Sequence, residues 1–321
     1  MKKRLFLLFP VLLTLAVFFA LLLRPQAAAD GARAGLSLCA KTLIPALFPF
    51  MAVSNLLLRL GAPQWLGKKL SPLTQKLFGV GGAGSAAFIL GVTGGYPLGA
   101  NTVAELYRGG ALQKSEAERL LAFCDNSGPA FIVSAVGAAG FGDVRAGFFL
   151  YGIHVLAAAL TGILLRNGTE KAEAGASAVR SMPFSAAFTD SVRSATATMV
   201  TVCGFAVFFN VIVGILDADG WLFLLSGGIS ARFGTELHWS RALLAGFLEL
   251  GTGAGAMQGL APTAQNLALA AFLLGWGGLS VHAQAAAVIR QGELSPARHS
   301  FGKLLHGLAS ALLVMVLYPL F

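Results

Sequence analysis

Charged residues are scarce in this chain. Lys, Arg, Asp and Glu make up 12% of its 321 residues, whereas soluble domains usually contain about 25%. Hydrophobic residues make up 56%, and the mean hydropathy is +0.75. At about 20 residues per membrane crossing, the chain can cross a membrane many times and leaves little length for a soluble domain. The composition therefore predicts an all-α polytopic membrane protein.

Cysteine and the known catalytic motifs are also scarce. The three cysteines, Cys39, Cys124 and Cys203, lie in apolar stretches without CxxC spacing, which predicts buried thiols. The chain contains no HExxH, GxSxG or Walker pattern. An intramembrane enzyme that uses Cys124 or His282 would need an orienting partner, and none stands at a recognisable spacing. We therefore predict no enzyme activity, no metal and no cofactor.

The net charge of +9 raises the question of nucleic acid. A nucleic-acid surface would interleave basic residues with aromatic ones, but here Lys and Arg lie mostly between apolar segments. This distribution is typical of the excess of positive charge in cytoplasmic loops of membrane proteins. We predict contact with membrane lipid and no binding of nucleic acid.

The first apolar segment, 5–23, follows Met1, Lys2, Lys3 and Arg4. This start resembles a signal peptide, but its apolar run of about 19 residues exceeds the usual 7 to 15. The alanines at 27–29 could mimic a cleavage site. We interpret residues 1–30 as a retained leading transmembrane helix with a cytoplasmic N-terminus.

Four apolar elements follow the leading helix, and four more then follow in the same order. The elements are 36–58, 78–100, 120–140 and 146–165, then 195–216, 242–259, 267–289 and 301–318. Matched residues recur at an offset of about 155, shrinking slightly along the chain, which indicates an internal duplication. We predict a first repeat at 31–165, a polar connector at 166–190 and a second repeat at 191–321. The matches pair Phe50 with Phe205, Asn55 with Asn210, Gly91 with Gly246, Phe123 with Phe272, Gly128 with Gly277, Arg145 with Arg298 and His154 with His306.

The distribution of Lys and Arg favours two inverted repeats. If the second element of each repeat is a re-entrant hairpin and the others cross, 17 Lys and Arg, including Lys303, lie on the cytoplasmic side and five lie outside. If all four elements cross, the division is 13 against nine. The larger asymmetry agrees better with the positive-inside rule. Three crossings per repeat then make the repeats inverted.

The second element of the first repeat contains the polar interruption GVTGGYPLGAN, 91–101. Irregular backbone at membrane depth is tolerated only where protein or a water-filled cavity satisfies it. Glycine also allows close approach of a ligand, and proline forces a break in the helix. The alternative is glycine-mediated packing at a tight hairpin tip. The candidate substrate-binding residues here are Thr93, Gly95, Tyr96, Pro97, Gly99 and Asn101.

A second interruption, CDNSGPAF, lies in the third element. We expect a helix to end near Cys124 and another to begin at Pro129, because proline suits the first turn of a helix. Asn126, Ser127 and Gly128 are candidate substrate-binding residues, although Asn126 and Ser127 could instead cap the second helix. Asp125 is a candidate coupling residue, because a charge at membrane depth is costly unless it is used or paired. Alternatively, Asp125 lies in the interface and is solvated.

The second repeat carries its polar residues in GFLELGTGAGAMQG and GWGGLSVHAQ. Thr252, Ser280 and Gln284 are candidate substrate-binding residues. Glu249 and His282 are candidates for coupling to protons, because both can change charge. The alternatives are an ion pair of Glu249 with Lys41 or an arginine, and a hydrogen bond of His282 between helices.

These motifs resemble the sporulation integral membrane protein YlbJ family, whose members carry the nucleoside-recognition Gate domain twice. The resemblance covers roughly residues 31–320. The Gate domain is similar to the transport domain of concentrative nucleoside transporters, so the resemblance implies a re-entrant hairpin followed by a broken helix in each repeat. The motifs that carry it are GYPLGAN at 95–101, NSGPAFI at 126–132, FLELGTG at 247–253 and GWGGLSVHAQ at 275–284.

The family resemblance implies a transporter of a small polar organic solute in a bacterial membrane. It implies movement of dipicolinic acid across the outer forespore membrane during sporulation. The alternatives are a transporter of nucleoside-type solutes and a non-transporting accessory protein that packs against a sporulation membrane partner or a second copy of itself. A dianion requires positive charge in its site, so helix N-termini and Lys41 would recognise it, or the acids would be protonated, or the solute is another compound.

Overall fold

The computed structural model describes residues 2–166 and 182–321. Most of the predicted connector, 166–190, therefore lies outside the described residues. The described part of the first half is helical, as expected from the composition. Its helices are α1 (Lys2–Leu23), α2 (Pro25–Arg59), α3 (Ala62–Phe78), α4 (Gly82–Gly94), α5 (Leu98–Arg108), α6 (Lys114–Cys124), α7 (Ala130–Phe141) and α8 (Val144–Leu164).

The second half contains the same kinds of helix in the same order. Apart from the leading helix α1, each half consists of a 35-residue helix, a shorter helix, two interrupted elements and a 21-residue helix. The sequence analysis did not predict the shorter helices α3 and α10, because their apolar runs are too short for a crossing. The second-half helices are α9 (Phe184–Ala218), α10 (Trp221–Phe233), α11 (Leu237–Leu248), α12 (Leu250–Ala256), α13 (Ala264–Trp276), α14 (Gly278–Gln291) and α15 (Ala297–Leu317).

Within the described residues, five helical segments are long and apolar enough to cross a membrane. A sixth candidate is the pair Lys69–Phe78 and Gly82–Gly94, which bends by 88°. The third element of the first repeat is not among the five, because 125–128 are non-helical. These findings confirm the polytopic all-α class; the inverted orientation stays a prediction. The five segments are Pro25–Arg59, Val144–Leu164, Phe184–Ala218, Ala264–Gln291 and Ala297–Leu320.

The polarity of the fold is that of a protein in lipid. Large apolar side chains are exposed around the outside, as at Val200 with 68% and Phe223 with 64% exposed. Polar side chains lie inside, including Asp125 and Lys303, both 0% exposed. Because lipid solvates apolar surface and excludes charge, the interior is where these polar groups must find partners.

The α4–α5 pair is a hairpin with its tip at Gly95, whose φ is +84°. Gly91 and Gly99 lie on either side of the tip and approach the same backbone atom. A Cβ at these two positions would lie 1.7 Å and 2.0 Å from the carbonyl oxygen of Cys124. Only glycine allows this approach, so the hairpin is pressed against the end of α6.

The α11–α12 pair is a second hairpin with Glu249 at its tip. A Cβ at Gly253 would lie 2.3 Å from Cα of Gly246, so the two arms touch through glycine. The predicted hairpins therefore correspond to α4–α5 and α11–α12.

The other two interrupted elements do not fold back on themselves. Helix α6 ends at Cys124, and the chain resumes as helix at Pro129, as predicted. Helices α13 and α14 form one 28-residue span broken by Gly277 and Gly278, whose φ values are +85° and +79°. These elements correspond to the predicted broken helices. Helix α15 packs against α6, α8 and α13 and so runs beside both breaks.

Candidate functional site

The two hairpin tips and the two helix breaks meet around one small cavity, which we call the closed cavity because it is too small for an organic solute. The cavity has a volume of about 40 Å³, which holds water but not an organic solute. Its polar lining comes from Tyr96, Ser127, Glu249 and Gln284, and apolar side chains of α2, α7, α9 and α14 complete the wall. An organic solute could therefore bind here only if the surrounding elements moved apart.

The tip of the first hairpin touches both breaks. A Cβ at Gly95 would lie 3.1 Å from the backbone nitrogen of Gly128, so the tip and the first break are in backbone contact. The Tyr96 hydroxyl donates a hydrogen bond to the carbonyl of Leu274, 2.9 Å away, next to the second break. Tyr96 thus links the first hairpin to the broken helix of the other half.

The tip of the second hairpin carries Glu249, which is 4% exposed. Its Oε2 accepts hydrogen bonds from the backbone N–H of Thr252 at 2.6 Å and lies 2.8 Å from the Thr252 hydroxyl. The Ser280 hydroxyl donates to Oε1 at 3.4 Å. Within the described part of the chain, no Lys, Arg or His lies within ion-pair distance of Glu249, and Lys41 is exposed. The predicted alternative of an ion pair with Lys41 or an arginine is therefore wrong.

The Thr252 hydroxyl connects Glu249 to Asn210. It also lies 2.9 Å from Oδ1 of Asn210, and the Asn210 amide is oriented by a bond from Nδ2 to the Ala206 carbonyl. The single hydroxyl hydrogen of Thr252 therefore lies within reach of two acceptors, Glu249 Oε2 and Asn210 Oδ1.

A buried ionic cluster lies behind Tyr96. Asp125 accepts a hydrogen bond from the backbone N–H of Ala100 at 3.1 Å, and its other oxygen lies 2.9 Å from Nε2 of His299. The Lys303 ammonium donates to the backbone carbonyl of Asp125 at 2.6 Å and lies 4.8 Å from the centroid of the Tyr96 ring. Asp125 is therefore paired inside the protein, and the alternative of a solvated interfacial acid is wrong.

The cluster continues to two histidines. The backbone N–H of Ser127 donates to Nε2 of His154 at 3.0 Å, so the ring proton of His154 is on Nδ1. Nε2 of His306 donates to the His154 carbonyl at 3.0 Å, and its Nδ1 accepts from Lys303 at 3.1 Å. The His154 ring is therefore neutral, and Lys303 links His306 to the first helix break.

The sequence analysis missed His299 and Lys303. Its count of Lys303 among the cytoplasmic loop residues is wrong, because the side chain is 0% exposed and lies inside α15. A signal was present: His299, Lys303 and His306 are four and three residues apart, which puts them on one helix face. A polar stripe on an otherwise apolar helix marks a buried polar contact, not a loop.

Several predicted residues lie outside the cavity. Thr93 is exposed, and its hydroxyl bonds to Ile89 in the same helix. Asn101 bonds to Glu105 along α5. Asn126 is fully buried, and its amide bonds to the Phe123 carbonyl. The other predicted substrate-binding residues that do not line the cavity are Gly95, Pro97, Gly99, Thr252 and Ser280.

His282 is half-buried between α14 and α15. Its Nε2 lies 3.0 Å from the Trp276 carbonyl, and its Nδ1 lies 3.1 Å from the Ser300 hydroxyl. This is the predicted alternative of a histidine hydrogen-bonded between helices. Its ring also meets the His299 ring edge to face, with centroids 5.4 Å apart, so it adjoins the ionic cluster rather than the cavity.

Comparison with known proteins gives two matches that agree with this geometry. A model of the Gate family, described as nucleoside recognition, matches residues 40–144. This range contains the first hairpin and the first broken helix. The chain is also 27% identical to the sporulation integral membrane protein YlbJ of Bacillus subtilis (strain 168) over 92% of this chain and 79% of that protein.

The chain is similar to YlbJ over most of its length. Because the match covers 92% of the chain, it extends across both halves and beyond the Gate region. The Gate match ends at residue 144. Glu249 and Lys303 therefore lie in the part of the chain that the Gate match does not cover.

Proposed function

We propose that this chain is a membrane transporter of a small polar organic solute. The observation that carries the proposal is the meeting of two hairpin tips and two helix breaks at one closed polar cavity. Broken helices of this kind form solute sites in transporters, and alternating movement of the two halves exposes the site to either side. The proposed solute-binding residues are Tyr96, Ser127, Gly128, Glu249 and Gln284.

The proposed arrangement in the membrane follows the distribution of Lys and Arg. The N-terminus is cytoplasmic, the two repeats are inverted, and the hairpins α4–α5 and α11–α12 are re-entrant. Because Lys303 lies in the interior, the number of Lys and Arg on the cytoplasmic side falls by one. The cytoplasmic side still carries more of them than the outside. The repeated order of the helices in the two halves supports this arrangement.

The proposed solute is dipicolinic acid, moved across the outer forespore membrane during sporulation. The support is the family resemblance and the similarity to a protein named for sporulation. Glu249 is the acidic side chain among the described cavity-lining residues, and the Lys303 side chain is behind Tyr96. A dicarboxylate would therefore enter together with protons, one of them on Glu249, because two like charges in a closed cavity repel each other strongly.

Coupling to protons is part of the proposal. Glu249 is in the cavity wall, and His282 adjoins His299, which in turn meets Asp125. These contacts give a proton two routes toward the site. The coupling residues are then Glu249, His282 and Asp125, with His299 between the last two.

A nucleoside-type solute is the second candidate. The Gate family is described as nucleoside recognition, and Tyr96 and Gln284 offer the aromatic face and the amide that a neutral nucleobase would use. This candidate needs no positive charge in the cavity. An accessory protein without transport activity is the outcome if neither solute moves.

Uptake into liposomes that contain only the purified chain tests the proposal. We expect uptake of dipicolinate, lowered at least about tenfold by Gln284→Ala because the amide faces the cavity. Gln258→Ala is the matched control, since Gln258 is exposed and does not line the cavity. Uptake of nucleosides but not of dipicolinate would show that the solute is of the nucleoside type. If folded protein takes up neither compound, the transport proposal is refuted.

A further inference from the structure

A second and wider cavity opens to the surface beside the closed one. Its volume is about 870 Å³, and it lies between the start of α2, the end of α9 and the hairpin α11–α12. We call it the outer cavity. Arg24, Asp217 and Arg241 are at its mouth, and Asn210 and Thr252 are among its lining. It is large enough for a drug-sized solute.

The mouth of the outer cavity is too polar to hold lipid. Arg24 pairs with Asp219 at 2.5 Å, and Arg241 pairs with Asp217 at 2.6 Å. Asp30, which also lines the cavity, pairs with the neighbouring Arg33. Four charged residues of the lining, Arg24, Asp30, Asp217 and Arg241, require water, and their charges balance, so the mouth repels neither anions nor cations.

A single hydrogen-bonded layer separates the outer cavity from the closed one. Thr252 and Asn210 line the outer cavity, and Glu249 lines the closed one. The Thr252 hydroxyl lies 2.9 Å from Asn210 and 2.8 Å from Glu249, and so joins the two walls. No other side chain is needed to connect these residues. A movement that separates Thr252 from Asn210 would connect the two cavities.

Close packing of α2 against α9 holds the Asn210 side of this layer in place. A Cβ at Gly31 would lie 2.7 Å from the carbonyl oxygen of Asn210, and one at Gly35 would lie 2.7 Å from Cα of Val207. The Asn210 side therefore cannot shift without separating two helices. Glu249 and Thr252 belong to the hairpin, which is the part that can move.

We propose that the outer cavity is the route by which solute reaches the closed cavity, and that Asn210, Thr252 and Glu249 form its gate. This inference rests on the proposed transport function and adds its entry side and gating residues. The gate opens when the hairpin tip moves away from Asn210. By the distribution of Lys and Arg, the route starts on the non-cytoplasmic face, where Arg24 and Arg241 are expected.

Accessibility of single cysteines tests the route. In a background with Cys39→Ser, Cys124→Ser and Cys203→Ser, we expect a membrane-impermeant thiol reagent to label Ala34→Cys and Ala256→Cys from one membrane face. Both positions line the outer cavity. Val200→Cys is the control, because Val200 is 68% exposed but on an apolar surface. Labelling of the two cavity positions at least about tenfold faster than the control is expected; equal rates would overturn the route.

A second labelling experiment tests the gate. Gln284→Cys places a thiol in the closed cavity, and we expect slow labelling from the same face that accelerates when Thr252→Ala is added. Thr196→Ala is the matched control, since the Thr196 hydroxyl bonds within α9. Asn210→Ala provides a second gate variant if Thr252→Ala does not fold. Unchanged labelling with either folded gate variant, or labelling only from the opposite face, would overturn the gate.

The labelling results do not depend on transport. If liposomes show no uptake, the transport proposal fails, while labelling still decides whether the outer cavity leads to the closed one. If uptake occurs, attachment of a bulky thiol reagent to Ala34→Cys should slow it at least about tenfold. Uptake that continues unchanged after complete labelling would overturn the route and leave the transport function standing.

Discussion

The imidazole rings of His154 and His306 lie with their centroids 4.3 Å apart. The two residues occupy matching positions in the two halves, and Nε2 of His306 bonds to the His154 carbonyl. Their contact shows that the halves meet where the last helices of each, α8 and α15, run side by side. The same contact anchors Lys303 and, through it, the first helix break.

Loss of the Lys303 ammonium should destabilise the fold. Lys303→Met leaves the Asp125 carbonyl and His306 Nδ1 without their hydrogen-bond donor in a fully buried cluster. Leaving a buried hydrogen-bonding group unsatisfied costs about 1–3 kcal/mol. We expect a fall of that size in the free energy of unfolding, measured by denaturant titration in detergent. Lys41→Met, at an exposed position, should change it by less than about 0.5 kcal/mol; similar effects for both would contradict the cluster.

A methyl group at Gly91 should push the first hairpin away from α6. The added Cβ of Gly91→Ala would lie 1.7 Å from the Cys124 carbonyl oxygen, a backbone atom that cannot rotate away. We expect a lower thermal midpoint and impaired uptake. Gly152→Ala is the control, because Gly152 is an exposed glycine inside α8 with open space around it. That change should be neutral or stabilise the helix by about 0.5–1 kcal/mol, so a loss of stability there would point to a different cause.

Replacement of Glu249 should uncouple solute transport from proton movement. Glu249→Gln keeps the shape and the bonds to Thr252 but removes the titrating group. We expect uptake that persists at a reduced rate and no longer responds to an imposed pH gradient. The comparison is His282→Gln, which tests the route through His299. If the Glu249→Gln variant follows the gradient as the parent does, Glu249 is not a coupling residue.

Solute binding should raise the thermal stability of the purified chain. A ligand that binds only the folded state stabilises it by about 2.7 kcal/mol at 100 times its Kd. We expect dipicolinate to raise the apparent melting temperature and Gln284→Ala to abolish the rise. Stabilisation by nucleosides alone would keep the site and change the solute. Stabilisation that is unaffected by Gln284→Ala would place binding elsewhere.

Local chemistry made the interruptions predictable. The break between Cys124 and Pro129 agrees with the sequence because proline cannot continue the preceding helix and is suited to begin the next. The hairpin tip at Gly95 and the break at Gly277 need positive φ, which glycine adopts without steric cost. These effects depend on residues close together in the chain, so sequence alone identified them.

The direction in which individual side chains point was less predictable from the sequence. Ser127 lines the cavity, but its neighbour Asn126 is turned toward the Phe123 carbonyl. Thr93 lies in the same interrupted element as Tyr96, yet it is exposed. Which side chain reaches the cavity depends on how each half-helix is rotated and how the hairpins close. That rotation is set by contacts with distant elements.

By itself, the sequence determined the membrane class, the repeated helices and the positions of the breaks, because each depends on composition or on local backbone chemistry. The tertiary structure decided how the buried charges are paired. His299 and Lys303 are 174 and 178 residues from Asp125 in the chain. Only the packing of α15 beside the first break brings them together, because a lone charge in the interior is costly and helices far apart in sequence must supply its partners.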